Sequence, residues 1–307
     1  MAIFDAHCDV LYRMHHDNQL RFDQANGLHI TYEYLKQAKA KVQCFALFVP
    51  DTLPQEIKFK TALDMIDLLH QEILDRHSDI HLIRTRQDID ALGEDEVGIM
   101  LTLEGVDAID IDLVKLRTLF RLGVRSVGMT WNNANAACDG ALESRKAGLS
   151  DFGRRVVREN NRFKVWTDVS HISEKGFWDV LEEAEFPIAS HSNVKALCNH
   201  PRNLTDEQMK ALFDKGGVMG ITFVPSFLNE SGKAQIADIL KHIDYAASLG
   251  GANHLGFGSD FDGIETTPRE LTNYGDYPVL INELLKHYSE DMAKGLLFEN
   301  FYRAMPL

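Results

Sequence analysis

Short apolar, β-rich runs recur along the chain at Ile3–Phe4, Val42–Val49, Val97–Leu103, Val124–Met129, Val165–Val169, Pro187–Ala189, Val218–Val224 and His254–Phe257. Runs of this length, rich in branched residues and bounded by turn formers, predict strands. Between most of them lie segments with helical spacing, such as Ile57, Leu63, Ile66, Leu69 and Ile73, or Ile236, Ile239, Leu240 and Ile243. An apolar stripe of that kind lets a helix lie over a sheet. Thr205 and Gln208 resemble a capping box that opens a helix over Asp206–Phe213, and Gly250-Gly251 supplies a stop after Leu249. Eight such alternations predict an α/β protein of the (β/α)8 barrel class, whose typical length is about 250 residues before insertions. An open doubly wound sheet competes with this reading. It is weakened because no GxGxxG or phosphate-binding loop follows any predicted strand. No linker or change of composition divides residues 1–307, so a single catalytic barrel domain is expected.

Composition narrows the partners. With 45% hydrophobic residues the chain can bury a large core, and its formal charge of −14 comes from 32 basic against 46 acidic residues. Without a cluster of Lys or Arg, nucleic-acid binding has little electrostatic support, and a small-molecule substrate is expected. No run is long and apolar enough to cross a bilayer, and neither terminus reads as a secretion signal or lipid anchor, so the expected setting is cytoplasmic with no membrane partner. Cys8, Cys44, Cys138 and Cys198 form no CxxC pair and are expected as reduced thiols. Strand alternation points Cys8 away from its neighbours, toward a covering helix.

The chemistry lies where the strands end. His7 and Asp9 are two positions apart after the first apolar run, so in an extended chain they share one face. Other predicted strands end in Glu104, His171, His191 and Asp260, all on the rim where barrel enzymes assemble their sites. Any one of them has an ordinary reading as a turn or capping residue. Together they are costly to bury at one end of a core unless a metal or catalysis uses them. Imidazoles and carboxylates without thiolate suit Zn²⁺, Mn²⁺ or a similar ion. Five ligands exceed what one catalytic zinc with an open position needs, and two ions sharing a carboxylate would use them. Glu104 is the natural bridge, with His7 and Asp9 on one ion and His171 and His191 on the other. His15, His16, His29, His70, His77, His81 and His287 stand in polar or helical contexts and are assigned to the solvated surface.

These residues resemble a known family. Asp5-Ala6-His7-Cys8-Asp9, Leu103-Glu104-Gly105, Thr167-Asp168-Val169-Ser170-His171, Ala189-Ser190-His191-Ser192-Asn193, Pro201-Arg202-Asn203-Leu204 and Gly258-Ser259-Asp260-Phe261-Asp262-Gly263 are similar, in order, to motifs of the membrane dipeptidase (renal dipeptidase, peptidase M19) family. The resemblance implies two zinc ions per subunit bridged by Glu104, and a bridging hydroxide that attacks the peptide carbonyl of a dipeptide. It implies that Asp260 takes the proton from water and delivers it to the leaving amine, and that Arg202 binds the substrate's C-terminal carboxylate. Acceptance of a D-residue at the C-terminal position and a homodimeric assembly are further implications.

The chain departs from the pattern at one place. Where animal members have a His that stabilises the tetrahedral intermediate, Gly128-Met129-Thr130-Trp131-Asn132-Asn133 offers Trp131. The oxyanion duty would then pass to Asn132, another donor or the metals, and Trp131 could equally wall the substrate pocket. Two other functions compete: a hydrolase of the same barrel group acting on another amide or ester, such as an N-acyl amino acid or a lactone, and a metal-stabilised protein without activity.

Overall fold

The computed structural model describes residues 1–25 and 27–306. Nine strands are present among them: β1 (Ile3–Asp5), β2 (Ala40–Phe48), β3 (Ile80–Leu82), β4 (Val97–Glu104), β5 (Val124–Gly128), β6 (Trp166–Asp168), β7 (Pro187–Ser192), β8 (Met219–Ile221) and β9 (Leu255–Phe257). All pair in parallel. Eight of them close into a barrel in the order β1, β2, β4, β5, β6, β7, β8, β9, with β9 returning to β1 through Asp5 and Phe257. Helices connect most of the strands, as a parallel barrel requires.

All eight expected strands are present, and β3 is one the apolar pattern did not predict. It lies beside the first half of β4 (Ile80 opposite Val97, Leu82 opposite Ile99), while β5 takes over the same edge at Leu101. The opposite edge of β4 runs alongside β2 from Val42–Gly98 to Phe48–Glu104. β4 is therefore held along both edges, and it delivers Glu104 to the rim.

The helices follow their stripes. Ile236, Ile239, Leu240 and Ile243 are buried in the helix Ile236–Ser248, and Gly250 adopts the left-handed φ of 97° that ends it. In the helix Gln55–Leu69 the buried face is Ala62, Met65, Ile66 and Leu69, whereas Ile57, expected on that face, is 44% exposed near the helix start. The Thr205–Gln208 capping box forms in both directions and opens the helix Asp206–Asp214. The four cysteines are free and buried, Cys8 within the main core.

The N-terminal end of the barrel is sealed by rings. Phe4, Trp166 and Phe301 meet at centroid distances of 5.5 to 6.2 Å, and Trp166 Nε1 donates to the Ala304 carbonyl at 3.0 Å. A Cβ on Gly256 would stand 2.5 Å from the Phe301 ring, so glycine there makes room for the plug.

Candidate active site

The C-terminal rim is built differently. β1 stops at Asp5, so His7 and Asp9 lie beyond the strand rather than within it, and Asp9 immediately precedes the helix Val10–His16. They still share a face, with His7 Nε2 3.3 Å from Asp9 Oδ2. Backbone bonds between the loops after β1 and β9 keep this segment in place: Asp9 N donates to Phe261 O at 2.9 Å, and Asp260 N donates to His7 O at 3.1 Å. Beneath it, Asp5 accepts from His7 N at 3.2 Å, Ser259 N at 2.9 Å and the Tyr277 hydroxyl at 3.0 Å. Burial pushes the Asp5 carboxyl up to about 6 despite those bonds.

The six rim residues expected from the strand ends come together. Glu104 Oε1 lies 2.8 Å from His171 Nε2 and 3.7 Å from His191 Nε2, while its Oε2 lies 3.7 Å from His7 Nε2. Asp260 Oδ1 is 3.7 Å from His7 Nε2. The donor atoms of His7, Glu104 and His191 lie within 4.8 Å of one another, as do those of His7, Asp9 and Asp260. The His7 and His191 rings stack at 3.8 Å, which links the halves that the sequence assigns to separate ions.

Electrostatics favour a cation at this point. Burial, then Asp9, pushes the Glu104 carboxyl well above its usual range. Burial alone would lower His7, but Glu104, Asp9 and Asp260 around it raise it to about 10. Burial holds His171 and His191 well below the usual imidazole value, with Arg202 and His7 adding to it. Burial, with Asp9 adding, raises Asp260 to about 7 against the opposing pull of His7 and Arg202. His7 Nε2 and Asp9 Oδ1 are buried without a hydrogen-bond partner. His171 Nε2 and His191 Nε2 face each other at 2.8 Å. Converging nitrogen and carboxylate lone pairs that lack protein donors fit one or two divalent ions, and imidazole with carboxylate is a zinc-type donor set.

Above these residues opens a cavity of about 310 Å³. The expected substrate residues Arg202, Trp131 and Asn132 line it. Arg202 is 2% exposed, and its guanidinium donates Nη2 to the His191 carbonyl at 3.2 Å and lies over the Phe227 ring. Its Nε and Nη1 have no partner, and burial lowers its pKa to about 10. Asn132 Oδ1 sits 2.9 Å from His171 Nδ1, so the residue expected as an oxyanion donor also orients a ring of the rim. Trp131 packs against Phe48 at 5.1 Å and near His171 at 6.3 Å.

Sequence reasoning missed Tyr12, Phe48, Val224, Phe227 and Ile264 on the cavity wall, because apolar residues near strand ends look like core. It also missed Asp262, whose carboxylate accepts from His29 N at 2.7 Å and Ile30 N at 3.0 Å and ties down the loop after β9. Accordingly His29 is half-buried and its Nδ1 accepts from Asp262 N, and His77 is half-buried against the Tyr32 ring, so neither belongs to the solvated surface. Gly263 follows Asp262 in the same loop. A Cβ there would stand 2.2 Å from Asp9 Oδ2 and 2.4 Å from Asp260 Oδ1, so only glycine lets this loop press on both carboxylates.

The chain is similar to known proteins over its whole length. Residues 1–307 match the profile of the family described as membrane dipeptidase (peptidase family M19). An uncharacterised dipeptidase of Schizosaccharomyces pombe is 31% identical across 98% of this chain and 79% of its own. The crystal structure of dipeptidase AC, a metallopeptidase of family M19, superposes with a TM-score of 0.93 at 30% identity, covering 99% of this chain and 98% of its own. A Rhodobacter sphaeroides metallopeptidase, solved with a phosphinate mimic of the dipeptide L-Ala-D-Ala, also has a TM-score of 0.93, at 28% identity over the same shares.

Proposed function

Because the chain belongs to the membrane dipeptidase family and is a metal-dependent dipeptidase, we propose that it cleaves dipeptides with two zinc ions per subunit. His7 and Asp9 would hold one ion, His171 and His191 the other, and Glu104 would bridge them. When bound, the ions would supply Lewis-acid polarisation of the scissile carbonyl and a lower pKa for the attacking water. The observation that carries the reading is a set of buried polar atoms without partners at one cavity: Asp9 Oδ1 on its wall with His7 Nε2 behind it for a cation, and Arg202 Nε and Nη1 for an anion. A dipeptide presents both an electrophilic carbonyl and a terminal carboxylate.

The barrel order supports one orientation of the dipeptide. Arg202 and Phe227 follow β7 and β8, whereas Tyr12, Phe48 and Trp131 follow or end β1, β2 and β5 on the other side of the cavity. The free N–H groups of Arg202 hold the C-terminal carboxylate. The N-terminal residue then extends toward the wall of Tyr12, Phe48 and Trp131, whose neighbouring rings are 5.0 and 5.1 Å apart. Asp260, beside His7 and open to the cavity, takes a proton from water and returns it to the amine that leaves. Asn132 holds the His171 ring.

The phosphinate mimic of L-Ala-D-Ala bound by the Rhodobacter sphaeroides relative supports acceptance of a D-residue at the C-terminal position. The four free, buried cysteines support a reducing, cytoplasmic setting, and no helix among the described residues is long and apolar enough to cross a membrane. A homodimer is the proposed assembly, resting on family likeness alone, and sedimentation velocity tests it. The deciding experiment is metal analysis of purified protein, followed by assay against dipeptides of all four stereochemical combinations. Two zinc ions per chain with turnover abolished by chelation is the expected result. Absence of metal, together with no response to added Zn²⁺, would falsify it.

A further inference from the structure

A further rim carboxylate neither faces the cavity nor stands among the expected ligands. Asp168 ends β6, is 8% exposed, and accepts four hydrogen bonds from two serines. Its Oδ1 accepts from Ser170 N at 3.0 Å, Ser170 Oγ at 2.7 Å and Ser190 N at 3.0 Å, and its Oδ2 accepts from Ser190 Oγ. Each serine immediately precedes a rim histidine, since Ser-His occurs at 170–171 after β6 and at 190–191 in β7. A carboxylate has about four lone-pair sites, so this acceptor is saturated by the two Ser-His pairs.

The proton inventory fixes more than the backbone. The Asp168 carboxylate is a stronger acceptor than a hydroxyl, so both serine protons go to it rather than into the 3.1 Å contact between Ser170 Oγ and Ser190 Oγ, and each serine oxygen accepts in its remaining contacts. Ser170 Oγ accepts from His191 N at 3.0 Å, which ties the end of β7 to the loop after β6. Ser190 Oγ lies 2.8 Å from His191 Nδ1 and must accept there, which places the ring proton on Nδ1. The Nε2 lone pair is then bare, 2.8 Å from His171 Nε2 and 3.7 Å from Glu104 Oε1. Without Asp168, Ser190 could turn its proton toward Nδ1. The ring proton would then move to Nε2 and block it as a ligand.

We propose that Asp168 is a positioning residue, acting through Ser190 and Ser170, that fixes the tautomer of His191 and the spacing of His171 and His191, and so sets the affinity for the ion on that side of the rim. The proposal rests on the two-zinc reading above. Partners that hold a ligating imidazole from behind are generally worth about 10- to 100-fold in metal affinity.

The test is a zinc titration of the chelator-stripped full chain in competition with a chromophoric chelator. His171→Ala identifies the binding step that belongs to this side. Ser190→Ala and Asp168→Asn should weaken that step about 10- to 100-fold while the other step moves far less. Ser190→Thr, which keeps the hydroxyl, should restore it, and the melting point of metal-free Ser190→Ala should match that of the parent. An unchanged step in Ser190→Ala overturns the proposal, whether or not Asp168→Asn folds. Equal weakening of both steps together with a lower metal-free melting point also overturns it, because the tie would then be only a brace between strands. Failure of the parent chain to take up any zinc brings down the two-zinc reading itself, an outcome distinct from the other two.

Discussion

The two ends of this barrel are filled by opposite means. At the N-terminal end Phe4, Trp166 and Phe301 pack ring against ring, and the polar indole nitrogen is satisfied by a carbonyl. At the C-terminal end His7, Asp9, Glu104, His171, His191 and Arg202 are buried within a few ångströms of one another, several with polar atoms left unpaired. The loop that delivers Asp260 and Asp262 takes them into the left-handed region, at φ of 65° and 67°. Burying charge and straining backbone are both destabilising without a ligand. The comparison teaches a division of labour: one end contributes stability, and the other stays unsatisfied so that it can hold metal and substrate.

That division can be broken by experiment. Asp260→Asn should lower kcat by about 10²- to 10⁴-fold with zinc content unchanged, read by steady-state kinetics and elemental analysis. A comparable fall caused by loss of metal would make Asp260 a ligand rather than an acid–base group. Phe301→Ala should cost about 3–5 kcal/mol in denaturant unfolding, while kcat/KM at low temperature stays within about twofold of the parent. A large loss of activity in the folded fraction would show that the ends are not independent. Gly263→Ala should lower zinc affinity or kcat about tenfold, since 1.4 kcal/mol of displaced carboxylate energy corresponds to that factor, with little change in the metal-free melting point. Phe48→Ala should reduce the preference for Leu over Gly at the N-terminal position by about 1 kcal/mol or more in kcat/KM, the smallest effect and the one that sharpens the orientation. An unchanged ratio would move that side chain elsewhere in the cavity.

Much of this was legible in the sequence. Apolar runs marked all eight barrel strands because a parallel barrel buries both faces of each strand. β3 escaped because Ile80-His81-Leu82 is too short and too polar to stand out, and its place beside β4 depends on where β5 begins. His7, Glu104, His171, His191 and Asp260 were legible because ionisable residues end apolar runs, a pattern with few alternatives. The neighbours of those residues were not. Phe48 and Phe227 look like core until the cavity is seen, and the shared acceptor of Ser170 and Ser190 exists only because β6 and β7 are adjacent. Gly263 carried no signal of its own, since the need for a missing side chain depends on what the fold brings against it.

The barrel closes by pairing its first strand with its last, Asp5 against Phe257. During synthesis the earliest rim residues, His7 and Asp9, leave the ribosome long before the loop that fixes them. Ser259 and Tyr277, which anchor Asp5, come more than 250 residues later. A nascent chain released before that point carries most of the rim side chains but lacks the contacts that assemble them. Assembly of the rim is thereby tied to synthesis of the last strand and of the helix that carries Tyr277.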